Sequence, residues 1–159
     1  MVDIYEISAV VAAAGVVIGV IYYALEIRHQ DKVKHLDLFM SLYSIWGSEE
    51  MLDAHRRFMA LKFKDYESFI RDYGPVPSIT QTHKDIDRIG WFFNIMGFFV
   101  KEKIVNIKMV DELVGYWATK NWETIKPLVY GWRKEYGIPE SYKWFEYLYN
   151  ELKKRERQK

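Results

Sequence analysis

The chain has 159 residues, half of them hydrophobic and 17% aromatic, with no cysteine and a formal net charge of +1. That length suits one domain with a sizeable core, and the composition excludes an intrinsically disordered chain. Without cysteine there are no disulfides, thiolate nucleophiles or thiolate metal sites, and without a strong basic excess no nucleic-acid partner is expected.

From Ile7 to Leu25 there is no charged side chain. About 19 residues at ~1.5 Å each reach roughly 28 Å, the thickness of a bilayer's hydrocarbon core. Asp3 and Glu6 precede the run and every Lys and Arg follows it. A cleavable signal peptide would begin with basic residues, so the acidic start favours an anchor. The organisation expected is a short extracytoplasmic N-terminus over 1–6, a transmembrane helix over 7–27, a cytoplasmic helical domain over 28–152 and a basic tail over 153–159. Tyr5, Tyr22 and Tyr23 stand where interfacial aromatics stand, and Arg28, Lys32 and Lys34 follow directly, which by the positive-inside rule puts the body in the cytoplasm and the N-terminus outside. Ser8, Ala12, Gly15 and Gly19 form a stripe of small residues with a Gly-x-x-x-Gly step, the pattern that lets two helices pack closely in lipid. The partners expected are therefore the bilayer and a second copy of the chain, or a larger membrane complex.

No proline or glycine interrupts the chain between Gly19 and Gly47. The anchor is expected to continue as one helix to about Trp46, with Val33, Leu36, Met40 and Tyr43 keeping a helical period and Leu38, Leu42 and Ile45 widening a core face. Gly47 reads as a stop and Ser48 as the next N-cap, with Glu49 and Glu50 in the first turn. The second helix should carry Met51, Leu52, Phe58, Met59 and Phe63 inward. Asp65 can cap a short third helix holding Phe69 and Ile70, and 74–78, Gly-Pro-Val-Pro-Ser, is the clearest loop.

A central helix is expected from about Ile79 to Ile104. Its uncharged middle, Ile89–Val100, is too short to cross a bilayer and suits a buried helix. Asn106 can cap a further helix through Trp117, and Asn121 another through Tyr136, with Pro127 forcing a bend or break. Gly137 ends it, and Pro139 should open a last helix with Tyr142, Phe145, Leu148, Tyr149 and Leu152 inward. Nothing alternates with a period of two, so the fold class is all-α: one N-terminal transmembrane helix followed by a cytoplasmic helical bundle.

Reactive groups do not converge in the sequence. His83 and Asp87 lie one helical turn apart, and Asp53 and His55 share another helix, so one reading is a mixed His/carboxylate site between helices. The bland reading is a hydrogen-bonded core histidine at His55 and a polar pair at His83 and Asp87. Glu26-Ile-Arg-His29 has no mate for a di-iron site, and there is no phosphate-binding glycine loop or nucleophile elbow. The six tryptophans read as bulky core filler. No catalytic, cofactor-binding or metal residue is assigned, and no cofactor is expected.

The order of parts resembles a known family: an N-terminal span, an Arg- and His-containing continuation, Glu49-Glu50, Asp65-Tyr66-Glu67, an aromatic central helix, then Trp122 and Trp132-Arg133. The chain is similar to the bacterial and archaeal membrane-anchored proteins of domain-of-unknown-function family 4760. The resemblance implies a membrane-tethered helical module and carries over no catalytic residue. The expected function is an interaction or accessory module at the cytoplasmic face, self-associating or docking on a larger membrane complex. The alternatives are a membrane effector of stress or phage defence acting through clustered spans, and a metal-binding bundle with weak enzymatic activity.

Overall fold

The computed structural model describes residues 3–76 and 78–158, apart from the side chains of 4–14 and 31–32. The described residues form six helices and no strand: α1 Ile4–Trp46, α2 Glu49–Met59, α3 Tyr66–Tyr73, α4 Gln81–Lys101, α5 Ile107–Tyr136 and α6 Lys143–Glu156. The chain divides into two compact units, Met1–Ser41 and Leu42–Lys159.

Local chemistry sets most of the helix ends. Ser48 accepts from the Met51 amide at 3.3 Å and stands as the cap of α2. Asp65 and Ser68 form a reciprocal capping box on α3, and Thr80 and Asn106 accept from His83 N and Lys108 N at the starts of α4 and α5. Each side-chain oxygen pairs an amide that the helix cannot satisfy internally.

Three boundaries differ from expectation. The central helix spans 81–101, inside its expected 79–104. The two expected helices over 106–136 are one, because Asn121 is not a cap: it is wholly buried in the middle of α5. Pro127 costs α5 a backbone hydrogen bond, yet Val114, Ala118, Trp122 and Ile125 before it and Leu128 and Val129 after it bury one continuous face. The third difference is at α6, which starts at Lys143 and not at Pro139; residues 139–142 form turns. Tyr142, at its N-cap, lies in the left-handed region at φ +53 and makes no side-chain cap. Asn94 of α4 supplies the missing acceptor, taking the Trp144 and Phe145 amides at 3.1 and 3.2 Å.

Within the second unit, α4 and α6 make the central contact. A Cβ on Gly97 would run into the Trp144 carbonyl, so only glycine lets the two backbones come this close. Ile89, Phe93, Met96, Trp122, Ile125, Phe145 and Leu148 are buried around this seam, with Phe93 and Phe145 stacked at 5.0 Å and Trp122 edge-on to Phe145 at 5.1 Å. Each such side chain contributes roughly 1.5–3 kcal/mol by leaving water.

Some apolar positions fall on unexpected faces. On α1 the buried residues that open the second unit are Leu42 and Trp46, while Val33, Leu36, Met40, Tyr43 and Ile45 remain exposed. On α2, Leu52 and Met59 are exposed and the inward face is Met51, Ala54, His55 and Phe58. Of the six tryptophans, Trp122 and Trp46 are core, whereas Trp91 and Trp117 are exposed.

Candidate functional site

The first candidate is the uncharged part of α1. Among its described residues, Val16, Val17, Ile18, Val20, Ile21 and Leu25 are all more than half exposed. At about 100° per residue these positions occupy most of the helix circumference, leaving one strip for Gly15, Gly19, Tyr22 and Glu26. A Cβ added to Gly15 or Gly19 would meet nothing within 4 Å. Tyr22 and Tyr23 are exposed at one end of the run, and Arg28 and Lys34 beyond it. Tyr5, Ser8, Ala12 and Lys32 have side chains outside the described residues. Among the described residues no helix is long and apolar enough to cross a membrane; of the uncharged run they include the side chains of 15–25 alone.

The second candidate is the set of polar groups inside the body. His55 of α2 and Asn121 of α5 meet through Nε2 and Oδ1 at 3.0 Å, with the indoles of Trp46 and Trp117 at 5.0 and 4.9 Å from the imidazole. Burial lowers the His55 pKa, and the Asn121 hydrogen bond only partly opposes it. Among the described residues the ring's hydrogen-bond partner is an amide and not a carboxylate, so it lacks the partner that would make it a base. Asn121 was legible in principle: it falls at a core position of the stripe Val114, Ala118, Asn121, Ile125, where a cap reading is the wrong one.

His83, on the first turn of α4, is 4% exposed and its Nδ1 lies 2.6 Å from the Thr80 hydroxyl. Burial lowers its pKa while Asp87, one turn on, pulls the other way. Asp87 accepts the Tyr142 phenol at 3.0 Å. Burial raises the Asp87 pKa, and burial with the adjacent carboxylate raises that of Tyr142. Nearby, buried Asp85 accepts Arg57 Nε and Nη2 at 2.6 and 2.9 Å and Gln81 at 2.8 Å. This is a bridge between α2 and α4 in which both carboxylate oxygens are engaged.

His83 and Asp87 thus share a face of α4, whereas His55 turns to Asn121 and Asp53 pairs with Arg56 at 2.6 Å. The four do not converge, and among the described residues no three His, Asp or Glu side chains are grouped to hold a metal ion. The basic C-terminal cluster is largely neutralised: Lys153 pairs with Glu156, Lys154 with Glu151 and Arg155 with Asp111. Arg133 is likewise structural. It donates to the Ser141 carbonyl at 2.9 and 2.7 Å and to Glu146 at 2.6 Å, fixing the α5–α6 turn.

Two features had no signal in sequence spacing. Asn94 and Tyr142 act across helices, and neither sits in a local motif. A cleft of about 590 Å³ between α3 and α5 is lined by Tyr66, Glu67, Arg71, Lys134 and Glu135. Its two acidic and two basic side chains balance and single out no ligand.

No curated protein and no solved structure matches the chain. A family model does match the chain, over residues 9–152, and the chain belongs to that family, the domain of unknown function DUF4760.

Proposed function

We propose that the chain is a membrane-anchored helical interaction module, with Ile7–Leu25 crossing the bilayer, the N-terminus outside and the body on the cytoplasmic side. The observation that carries this reading is the exposure of Val16, Val17, Ile18, Val20, Ile21 and Leu25 around α1, in a run that holds no charge. Apolar side chains on most faces of one helix have no favourable place in water, and lipid supplies one at about 0.8 kcal/mol per CH₂ removed from water. Arg28 and Lys34, exposed just beyond the run, support the orientation. The open Gly15–Gly19 strip supports self-association, because it lets a second helix approach backbone to backbone.

Sodium carbonate extraction of the full tagged chain tests the anchor: retention in the membrane pellet is expected, and release into the wash overturns it. Protease treatment of inverted vesicles should remove a C-terminal tag, and protection of that tag would reverse the orientation. Mild crosslinking in detergent should trap a dimer or larger assembly, and a purely monomeric, partner-free protein would remove the interaction role.

A further inference from the structure

The α5–α6 turn holds Tyr142 in a backbone conformation that a residue with a Cβ seldom adopts, at φ +53. Such strain persists only where surrounding bonds over-determine it. Here Arg133 holds the preceding carbonyl, Asn94 the two amides of Trp144 and Phe145, and Asp87 the phenol. The tyrosine ring is thereby laid over Gly90, with the rings of Trp91 and Trp132 each at 6.1 Å from it. Trp91 is 58% exposed, and Asp87 lies one helical turn before it on the same face of α4.

Among the described residues Asp87 has no lysine or arginine partner; besides the Tyr142 phenol, the titratable group facing it is His83, whose pKa burial lowers. Among the described residues, Tyr130, Trp144 and Tyr147 each have a lysine or arginine over the ring. None is found over Trp91, Trp132 or Tyr142. Asp87 forms no salt bridge among the described residues; its hydrogen bond is to the neutral Tyr142 phenol. Arg88, its neighbour in sequence, is drawn to Glu50 at 2.5 Å. An exposed carboxylate one turn from the exposed Trp91 indole, with the half-buried Trp132 indole across the Tyr142 ring, sets an acidic group beside apolar walls, the combination that suits an organic cation whose charge is spread over methyl groups.

We infer that Asp87, Trp91, Trp132 and Tyr142 form a binding site for a quaternary ammonium group, with Asp87 as counter-ion, Trp91 as the exposed π wall and the buried Tyr142 as the floor that positions the carboxylate. The cation is of the choline type, met either as a small free molecule or as a lipid headgroup. The site does not depend on the membrane reading, since all four residues lie in the second unit.

The test titrates choline chloride and tetramethylammonium chloride into the full chain in maltoside micelles, followed by calorimetry, with sodium chloride at equal ionic strength as the control. For ligands of this size, saturable binding with a Kd on the order of 1 mM is expected. Asp87→Asn keeps an acceptor for the Tyr142 phenol and should abolish binding. Trp91→Ala should weaken it by about fivefold or more, and Trp117→Ala should leave it unchanged. Circular dichroism checks each fold; if Trp91→Ala unfolds, Asp87→Asn alone decides. No saturation for either cation, or equal affinity in Asp87→Asn, overturns the site. Repeating the titration in nanodiscs separates the sources. Choline binding in phosphatidylglycerol discs that is lost in phosphatidylcholine discs assigns the site to the headgroup, whereas equal binding in both assigns it to a free cation.

Discussion

Two uncharged helical stretches of this chain meet different surroundings. In α4 the segment Ile89–Val100 buries Ile89, Phe92, Phe93, Met96 and Val100, and leaves Trp91, Ile95 and Phe98 outward. It has an inside and an outside, and the close approach of α6 at Gly97 explains which is which. In α1 the residues from Val16 to Leu25 have no such division, and among the described residues a Cβ at Gly15 or Gly19 would meet nothing within 4 Å. Similar side chains are thus folded against protein in one place and left uncovered in the other. Local hydrophobicity is not what separates them. Length and the availability of a partner helix do, and these decide whether water, protein or lipid is the solvent of a segment.

The sharpest way to break the comparison is to make the same change in both places. Gly97→Leu forces a side chain into the Trp144 backbone and should destabilise the body by about 3 kcal/mol or more, read as a large fall in the thermal midpoint. Gly15→Leu meets open space, so the midpoint should stay unchanged while crosslinked oligomer declines. If Gly15→Leu destabilises the body as much as Gly97→Leu does, the two stretches share one kind of environment and the contrast is wrong. Next in size is a charge. Val17→Arg near the middle of the uncharged run opposes insertion by about 2.5–3.5 kcal/mol. It should increase the fraction released by carbonate, with unchanged release counting against lipid burial.

Much of the architecture could be read from sequence because it is written locally. Ser48, Asp65 and Asn106 are capping residues followed by apolar periodicity, and each stands where a helix begins. What could not be read depends on contacts across the chain. Asn121 has the residue type of a cap, but His55 on α2 gives it a partner within the core, so α5 runs through it. Pro139 has the residue type of a helix start, but Arg133 and Asn94 fix the turn and place the start at Lys143. The apolar character of Leu52 and Met59 predicts an inward face for them, and α2 instead turns Ala54 and His55 inward, where the small and the hydrogen-bonded side chains fit. The candidate aromatic site was hidden for the same reason: its four residues are spread over α4, α5 and the turn before α6.

The buried histidines sharpen the contrast through pH. Both His55 and His83 have pKa values lowered from 6.5 by burial. Below pH 6.5 the unfolded chain takes up protons that the folded body refuses, so stability is fully present above that pH and is lost as pH falls. Asp87, whose pKa is raised from 3.8, acts in the opposite sense, with stability lost as pH climbs from 3.8. Thermal midpoints between pH 7 and pH 5 should therefore fall, and His55→Gln with His83→Gln should flatten the trend. An unaltered slope in the double variant would assign it to other groups.

The smallest effect expected is at Ser48. Its hydroxyl oxygen accepts one α2 amide, so Ser48→Ala should cost about 1 kcal/mol in the stability of the body. That is well below the cost at Gly97, where backbone itself is displaced. The size of the loss separates two ways of holding α2. If the cap matters, the midpoint falls by the expected amount and Ser48→Asp, which restores an acceptor, recovers it. Should Ser48→Ala change nothing, α2 is held by the burial of Met51, Ala54 and Phe58 alone, and the start of the helix is set by packing and not by its own sequence.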